Sequence, residues 1–146
     1  MPDTADRQHW MAVLARAAAA DLEAASAGML PAYTRLRGPE AGLIMLRGRA
    51  GGTGDPFNLG EASVVRCTVR TEAGQIGHAY CLGRDLRHAE LAAALDAALQ
   101  DDAMRETVWT RVIAPLADKQ ERARQQTARR AAATRVDFFT MATMRT

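Results

Sequence analysis

The residues whose types and spacing could do chemistry fall into three groups. The first is the run Gly51-Gly52-Thr53-Gly54, with Arg47 and Arg49 beside it. Backbone N–H groups near glycines can cradle a phosphate, and guanidinium groups pair well with phosphate oxygens. The run lacks the lysine of a P-loop, and no helix-forming stretch follows it to supply an N-terminus. The competing reading is a wide strand connection, Gly48 to Gly60, whose glycines supply positive φ.

The second group is Gly83-Arg84-Asp85-Leu86-Arg87-His88-Ala89-Glu90. Arg84, Arg87, His88 and Glu90 could bind an anion and move a proton, since histidine titrates near neutrality. The same residues also read as a helix start. Asp85 is then the N-cap, Glu90 a favourable acid in the first turns, and His88 a member of the apolar face.

The third group is the basic stretch from Asp118 to Arg135, with six Lys and Arg against two acids. Such a concentration could contact nucleic acid, but the stretch has no aromatic residue for stacking on bases. Ala123, Thr127, Ala131 and Thr134 follow at spacings of four, four and three, which lets another helix pack closely. A protein partner is the preferred reading. Metal binding has little support, because His9, His78 and His88 are scattered and Cys67 and Cys81 form no CxxC pair. Cys67 falls on the inward side of a strand, which argues against a nucleophile, and no serine elbow is present.

The elements that must position these groups follow from periodicity. Asp3 or Thr4 can cap a first helix whose face is Trp10, Val13, Leu14 and Ala17. The alanine run Ala17 to Ala20 favours continuation, with Asp21 a possible second cap and Gly28 the stop. Tyr33 to Arg37 and Leu43 to Arg47 read as two short strands separated by Gly38, Pro39 and Gly42. Val65, Cys67 and Val69 alternate with Arg66, Thr68 and Arg70, giving a strand with one buried and one cationic face. A turn near Ala73-Gly74 returns the chain into Ile76 to Leu82. A two-residue loop pairs Cys67 with Tyr80, and a one-residue change brings Cys67 opposite Cys81.

Asp85 then opens a helix with His88, Leu91, Ala92, Leu95 and Leu99 on one face. A short helix, about Arg105 to Ile113, stops before Pro115. A further helical stretch runs from about Ala117 to Thr134. The end, Val136 to Met141, reads as extended, and Phe138, Phe139 and Met141 are candidates for burial against a partner. The order predicts an α+β fold: a four-strand antiparallel meander packed with N- and C-terminal helices.

Composition bounds the rest. The 146 residues are 48% hydrophobic and 25% charged, which suits one soluble domain over residues 1–146. A net charge of +2 does not call for a nucleic-acid or membrane partner. Charges interrupt every apolar run before membrane-spanning length, and the start lacks the pattern of a secretion signal, so the cytoplasm is the expected location.

Several pieces together resemble a known family. They are Arg7-Gln8-His9-Trp10-Met11, Arg49-Ala50-Gly51-Gly52-Thr53-Gly54, Gly83-Arg84-Asp85 with His88-Ala89-Glu90, Ile113-Ala114-Pro115-Leu116 and Arg135-Val136-Asp137-Phe138-Phe139-Thr140-Met141. Phe57, Gly60, Ala62, Arg66 and Gly77 add to the series. In order and approximate spacing they resemble PhnG, the small subunit of the bacterial carbon–phosphorus lyase core complex. The resemblance implies work with PhnH, PhnI and PhnL to join a phosphonate to the ribose C1 of ATP, displacing adenine. PhnJ later cleaves the carbon–phosphorus bond.

It further implies a multi-subunit core with two copies of each chain, ATP as a substrate of the complex, and catalytic residues on the large PhnI subunit. No cofactor is expected on this chain itself. Arg49 with Gly51, Gly52, Thr53 and Gly54 is the anion-site candidate, and Arg84, Asp85, His88 and Glu90 the functional-surface candidate. Two other classes remain open. One is an independent nucleotide- or phosphonate-binding enzyme using the glycine loop and His88, and the other a nucleic-acid module using the Arg122 to Arg135 helix.

Overall fold

A computed structural model describes residues 3–136. The order is α1 (Thr4–Arg16), α2 (Ala19–Ser26), β1 (Tyr33–Arg49), a 3-10 turn (Ala50–Gly52), β2 (Pro56–Thr71) and β3 (Ile76–Leu82). Then come α3 (Leu86–Gln100), α4 (Asp102–Val108), a π turn (Trp109–Ile113) and α5 (Ala114–Ala133). The class is α+β, with an antiparallel sheet in the order β1-β2-β3.

The sheet has three strands, so the expected four-strand meander is corrected. Tyr33–Arg37 and Leu43–Arg47 are halves of the one long strand β1. Gly38 and Pro39, which read as a break, are absorbed by register shifts between Arg35 and Glu40. Gly38 sits at φ +66°, and a Cβ there would lie 2.7 Å from the Arg66 carbonyl oxygen, so only glycine fits the bulge.

The helices cover one face of this sheet. Val65, Cys67 and Val69 of β2 and Ala79 and Cys81 of β3 point inward to α3, whose residues from His88 to Leu99 are all buried. A helix apolar all round must be enclosed, and α1, α2 and α4 close over its far side. Alanines make the approach to the sheet close. A Cβ on Gly77 would overlap the Ala93 carbonyl oxygen and lie 2.6 Å from the Ala97 nitrogen. The opposite sheet face, carrying Arg66 and Tyr80, is open to solvent, as the alternation in β2 requires.

Three further expectations change. Helix continuation through Ala17 to Ala20 does not occur, because Ala17 and Ala18 are extended and Ala18, not Asp21, is the N-cap of α2. The β2–β3 connection is a three-residue loop, Glu72 to Gly74, with Gly74 at φ +95° and Thr71 bonded to Gln75. Cys67 therefore faces Ala79, Cys81 faces Val65, and both thiols are free and buried. Finally, Pro115 does not stop a helix, since helical backbone runs unbroken from Asp102 to Ala133 through the π turn. Proline lacks an N–H and crowds the carbonyl one turn back, and the wider π turn relieves both.

Candidate functional site

The glycine loop forms the tip of a projecting arm. β3 pairs with β2 only as far as Val64, so β1 and β2 continue beyond Gly42 and Val64 as a two-stranded ribbon. The tip closes beyond the pair Arg49–Pro56, roughly 20 Å along the strand from Gly42. Gly51 and Gly52 take φ of +61° and +83°, Gly54 N–H donates to Ala50 C=O at 2.8 Å, and Arg49 Nη1 donates to Gly54 C=O at 3.1 Å. The remaining guanidinium donors of Arg49 and the side chain of Arg47 face solvent.

Apolar side chains cover both faces of this ribbon. Alternation puts Ile44 and Leu46 on the face of Gly48, where the Phe57 ring lies within 3.4 Å of a would-be Cβ and Leu59 follows. Leu43 and Met45 occupy the other face. Leu59 is 65% exposed, Leu43 63% and Met45 52%.

The second candidate group sits at the base of the arm, where Gly83 N–H bonds to Ser63 C=O. It is therefore about one arm length from the glycine loop, and the fold does not bring the two together. Within it four side chains have partners of their own. Asp85 caps α3, accepting from His88 N–H at 3.0 Å. The His88 ring turns the other way, and its Nε2 lies 2.8 Å from the Leu14 carbonyl oxygen, so that nitrogen carries the proton and donates. Glu90 is buried and accepts from Tyr33 Oη at 3.0 Å and Arg35 Nε at 2.8 Å. Arg87 pairs with Glu23 at 3.0 Å. Arg84 is exposed and forms no hydrogen bond or ion pair among the described residues.

Electrostatics follow these contacts. Burial, then the Glu90 carboxylate, raises the Tyr33 phenol above its ordinary range. The Glu90 carboxylate likewise raises Arg35. On the open sheet face, hydrogen bonds from Arg37 and Arg66 lower Glu40. Burial pushes the Cys67 thiol up and Cys81 to about 11, so both stay protonated at neutral pH. Among the described residues no group of three or more His, Cys, Asp or Glu could hold a metal ion.

One polar centre escaped the reading of the sequence. Asp96 is fully buried in the middle of α3 and accepts from Trp10 Nε1 at 2.9 Å, Arg7 Nη2 at 2.8 Å and the His78 N–H at 2.9 Å. A lone carboxylate inside Ala-Ala-Leu-Asp-Ala-Ala-Leu was the available signal. Its partners fasten α1 and β3 to α3 and leave no free acceptor face for a ligand.

Residues 5–144 match the family described as phosphonate metabolism protein PhnG. The chain belongs to the PhnG family. A relative from Rhizobium meliloti (strain 1021), the alpha-D-ribose 1-methylphosphonate 5-triphosphate synthase subunit PhnG, is 46% identical over 142 residues. That alignment covers 94% of this chain and 88% of the relative. In this PhnG-family chain no helix among the described residues is long and apolar enough to cross a membrane. The interface candidates Phe138, Phe139 and Met141 lie outside the described residues.

Proposed function

We infer that this chain is a subunit of a ribose 1-methylphosphonate 5-triphosphate synthase, the complex that transfers the ribose triphosphate of ATP onto a phosphonate with loss of adenine. The observation that carries the reading is the 46% identity to a subunit of that synthase along nearly the whole chain. The architecture supports a subunit over a stand-alone enzyme. Two projections, the apolar arm and the half of α5 beyond Glu121, have no cover from the described residues of their own chain. Displacing a base needs acids and bases poised around one reacting centre. Here Asp85, His88 and Glu90 are each engaged elsewhere.

The partners are PhnH, PhnI, PhnL and PhnJ, and the assembly works in the cytoplasm with ATP as its substrate. This chain carries no cofactor of its own. Its part is to shape the assembly and to offer Arg49 and the backbone of Gly51, Gly52, Thr53 and Gly54 to a phosphate group at a subunit junction. Arg84 and the segment Phe138, Phe139 and Met141 serve as further partner surface.

The test is reconstitution with ATP and methylphosphonate, following adenine release. Leaving out this chain abolishes release, and adding it back restores it. Undiminished release without the chain would overturn the reading. Arg49→Ala raises the KM for ATP in the assembled complex, and an unchanged KM would remove the tip from the phosphate site.

A further inference from the structure

The open face of the sheet carries an array of side chains that are mostly donors. Register sets Arg66 beside Tyr80 and Thr68 beside His78, with Arg70 one row further along β2. Residues two apart on a strand share a face, so successive rows stand roughly 7 Å apart. Glu40, from β1, is the acid of this array, and it is engaged: Arg37 Nε and Arg66 Nε both donate to its Oε1 at 2.7 Å. Arg66 is thereby drawn toward β1. The Tyr80 ring is left 51% exposed and packs on no other ring or cation among the described residues. Thr68 Oγ1 lies 3.2 Å from His78 Nδ1, and a hydroxyl donating there leaves the ring proton on Nε2. That N–H and the Arg70 guanidinium have no partner among the described residues. Arg70 also lines a cleft of about 310 Å³ with Thr34 and Glu72, and Glu72 forms no ion pair with it.

We propose that this face binds a nucleoside polyphosphate, with the base stacked on Tyr80 and the phosphates held by Thr68, His78 and Arg70. Two kinds of group decide the class of ligand. Guanidinium and imidazole N–H donors without partners call for a ligand rich in anionic oxygens. A bare tyrosine ring calls for a flat one, since bases stack on aromatic side chains whatever their identity. A run of anionic oxygens joined to a flat ring in one molecule is a nucleotide. Tyr80 and Arg70 lie two rows apart, roughly 13 Å along the strands, a span that the sugar and phosphates bridge. Inorganic polyphosphate would meet the cations and leave the ring bare, and a nucleoside without phosphates would do the reverse. The glycine tip stands at the opposite end of β1 and β2 from Arg70, so the two sites are separate.

The site is made of this chain's residues alone. It does not rest on the proposed synthase role, which a failure to bind here would leave intact. The experiment titrates ATP, adenosine and inorganic tripolyphosphate into the isotope-labelled full chain and follows its amide resonances. With ATP, the resonances of Thr68, Arg70, His78 and Tyr80 move together, and the other two probes bind about tenfold more weakly or worse. Arg70→Ala raises the dissociation constant for both ATP and tripolyphosphate about tenfold. Tyr80→Ala raises it about tenfold for ATP alone. Arg16→Ala, an exposed arginine on α1, changes neither. The amide spectrum establishes that each variant is folded. A folded chain whose resonances do not move, or shifts gathered at Gly51 to Gly54 instead, overturns the proposal. So does tripolyphosphate binding as tightly as ATP, or an oligoadenylate binding more than about tenfold tighter than ATP, which would make the face a nucleic-acid surface.

Discussion

His88 holds the carbonyl oxygen of Leu14 at 2.8 Å, a bond that reaches from the first turn of α3 to the last turn of α1. The carbonyl lies where α1 ends and the backbone turns extended at Ala17. An alanine-rich run that would otherwise carry the helix on is thereby held in two pieces.

His88→Ala removes a buried donor and leaves that carbonyl only the 3.3 Å bond from Ala17 N–H. The expected loss is about 0.5–1.5 kcal/mol of stability, read by urea denaturation of the purified chain. Adenine release per assembled complex changes little, because the imidazole points into the helix layer. A large fall in turnover with unchanged stability would instead return His88 to the chemistry.

Asp96→Ala strands the Trp10 indole N–H in the core and uncouples Arg7. Breaking a buried charge pair by removing one member costs about 3–5 kcal/mol. Asp96→Asn keeps an acceptor and costs less. Comparing the two melting temperatures checks this, since equal losses would mean that the charge itself, not the hydrogen bonding, holds the centre together.

Gly77→Ala forces a methyl group into the Ala93 carbonyl and the Ala97 backbone. Backbone cannot rotate away as a side chain can, so β3 must separate from α3. A loss of at least about 1–3 kcal/mol is expected from overpacking of this kind. Gly42→Ala, in a position with open space around the would-be Cβ, is the matched control.

Stability falls in alkali through Cys81. Its folded thiol is raised from 9.0 to about 11 by burial, so the protonated form is favoured in the native state. The contribution is fully present below pH 9.0 and is lost as pH rises toward about 11. It amounts to about 2–3 kcal/mol. Cys81→Ala flattens the decline measured by denaturation between those limits. The thiols of Cys67 and Cys81 should also resist alkylation in the native chain at neutral pH and react once it is unfolded.

Periodicity made the helical core legible. Trp10, Val13 and Leu14 on α1 and Leu91, Leu95 and Leu99 on α3 stand at the spacing of a buried face, and all are buried. The alternation around Cys67 likewise located the inward face of β2. The long ribbon was not legible, because Gly38, Pro39, Pro56 and Gly60 carry the composition of loops. A bulge, and pairing with a strand whose far end is free, let those residues stay extended. Asp85 could be read as a cap because capping is local. The partners of His88, Glu90 and Asp96 on α1 and β1 lie 55 to 89 residues away in the chain, and no spacing rule reaches them. The tip of the arm was found by its glycines, while its distance from His88 depended on where β3 ends.

The π turn at Trp109–Ile113 also has a consequence for the direction in which α5 presents its arginines. A π turn holds one residue more than the α-helical turn it replaces. Each residue advances a helix by about 100°, so everything beyond Pro115 is offset in azimuth by that amount relative to an uninterrupted helix. Removing one residue at this turn would leave the sheet and the enclosed helix in place and swing Arg122 and Arg129 to a different compass bearing. The turn thus acts as an indexing joint between a body fixed by its core and a basic helix aimed outward.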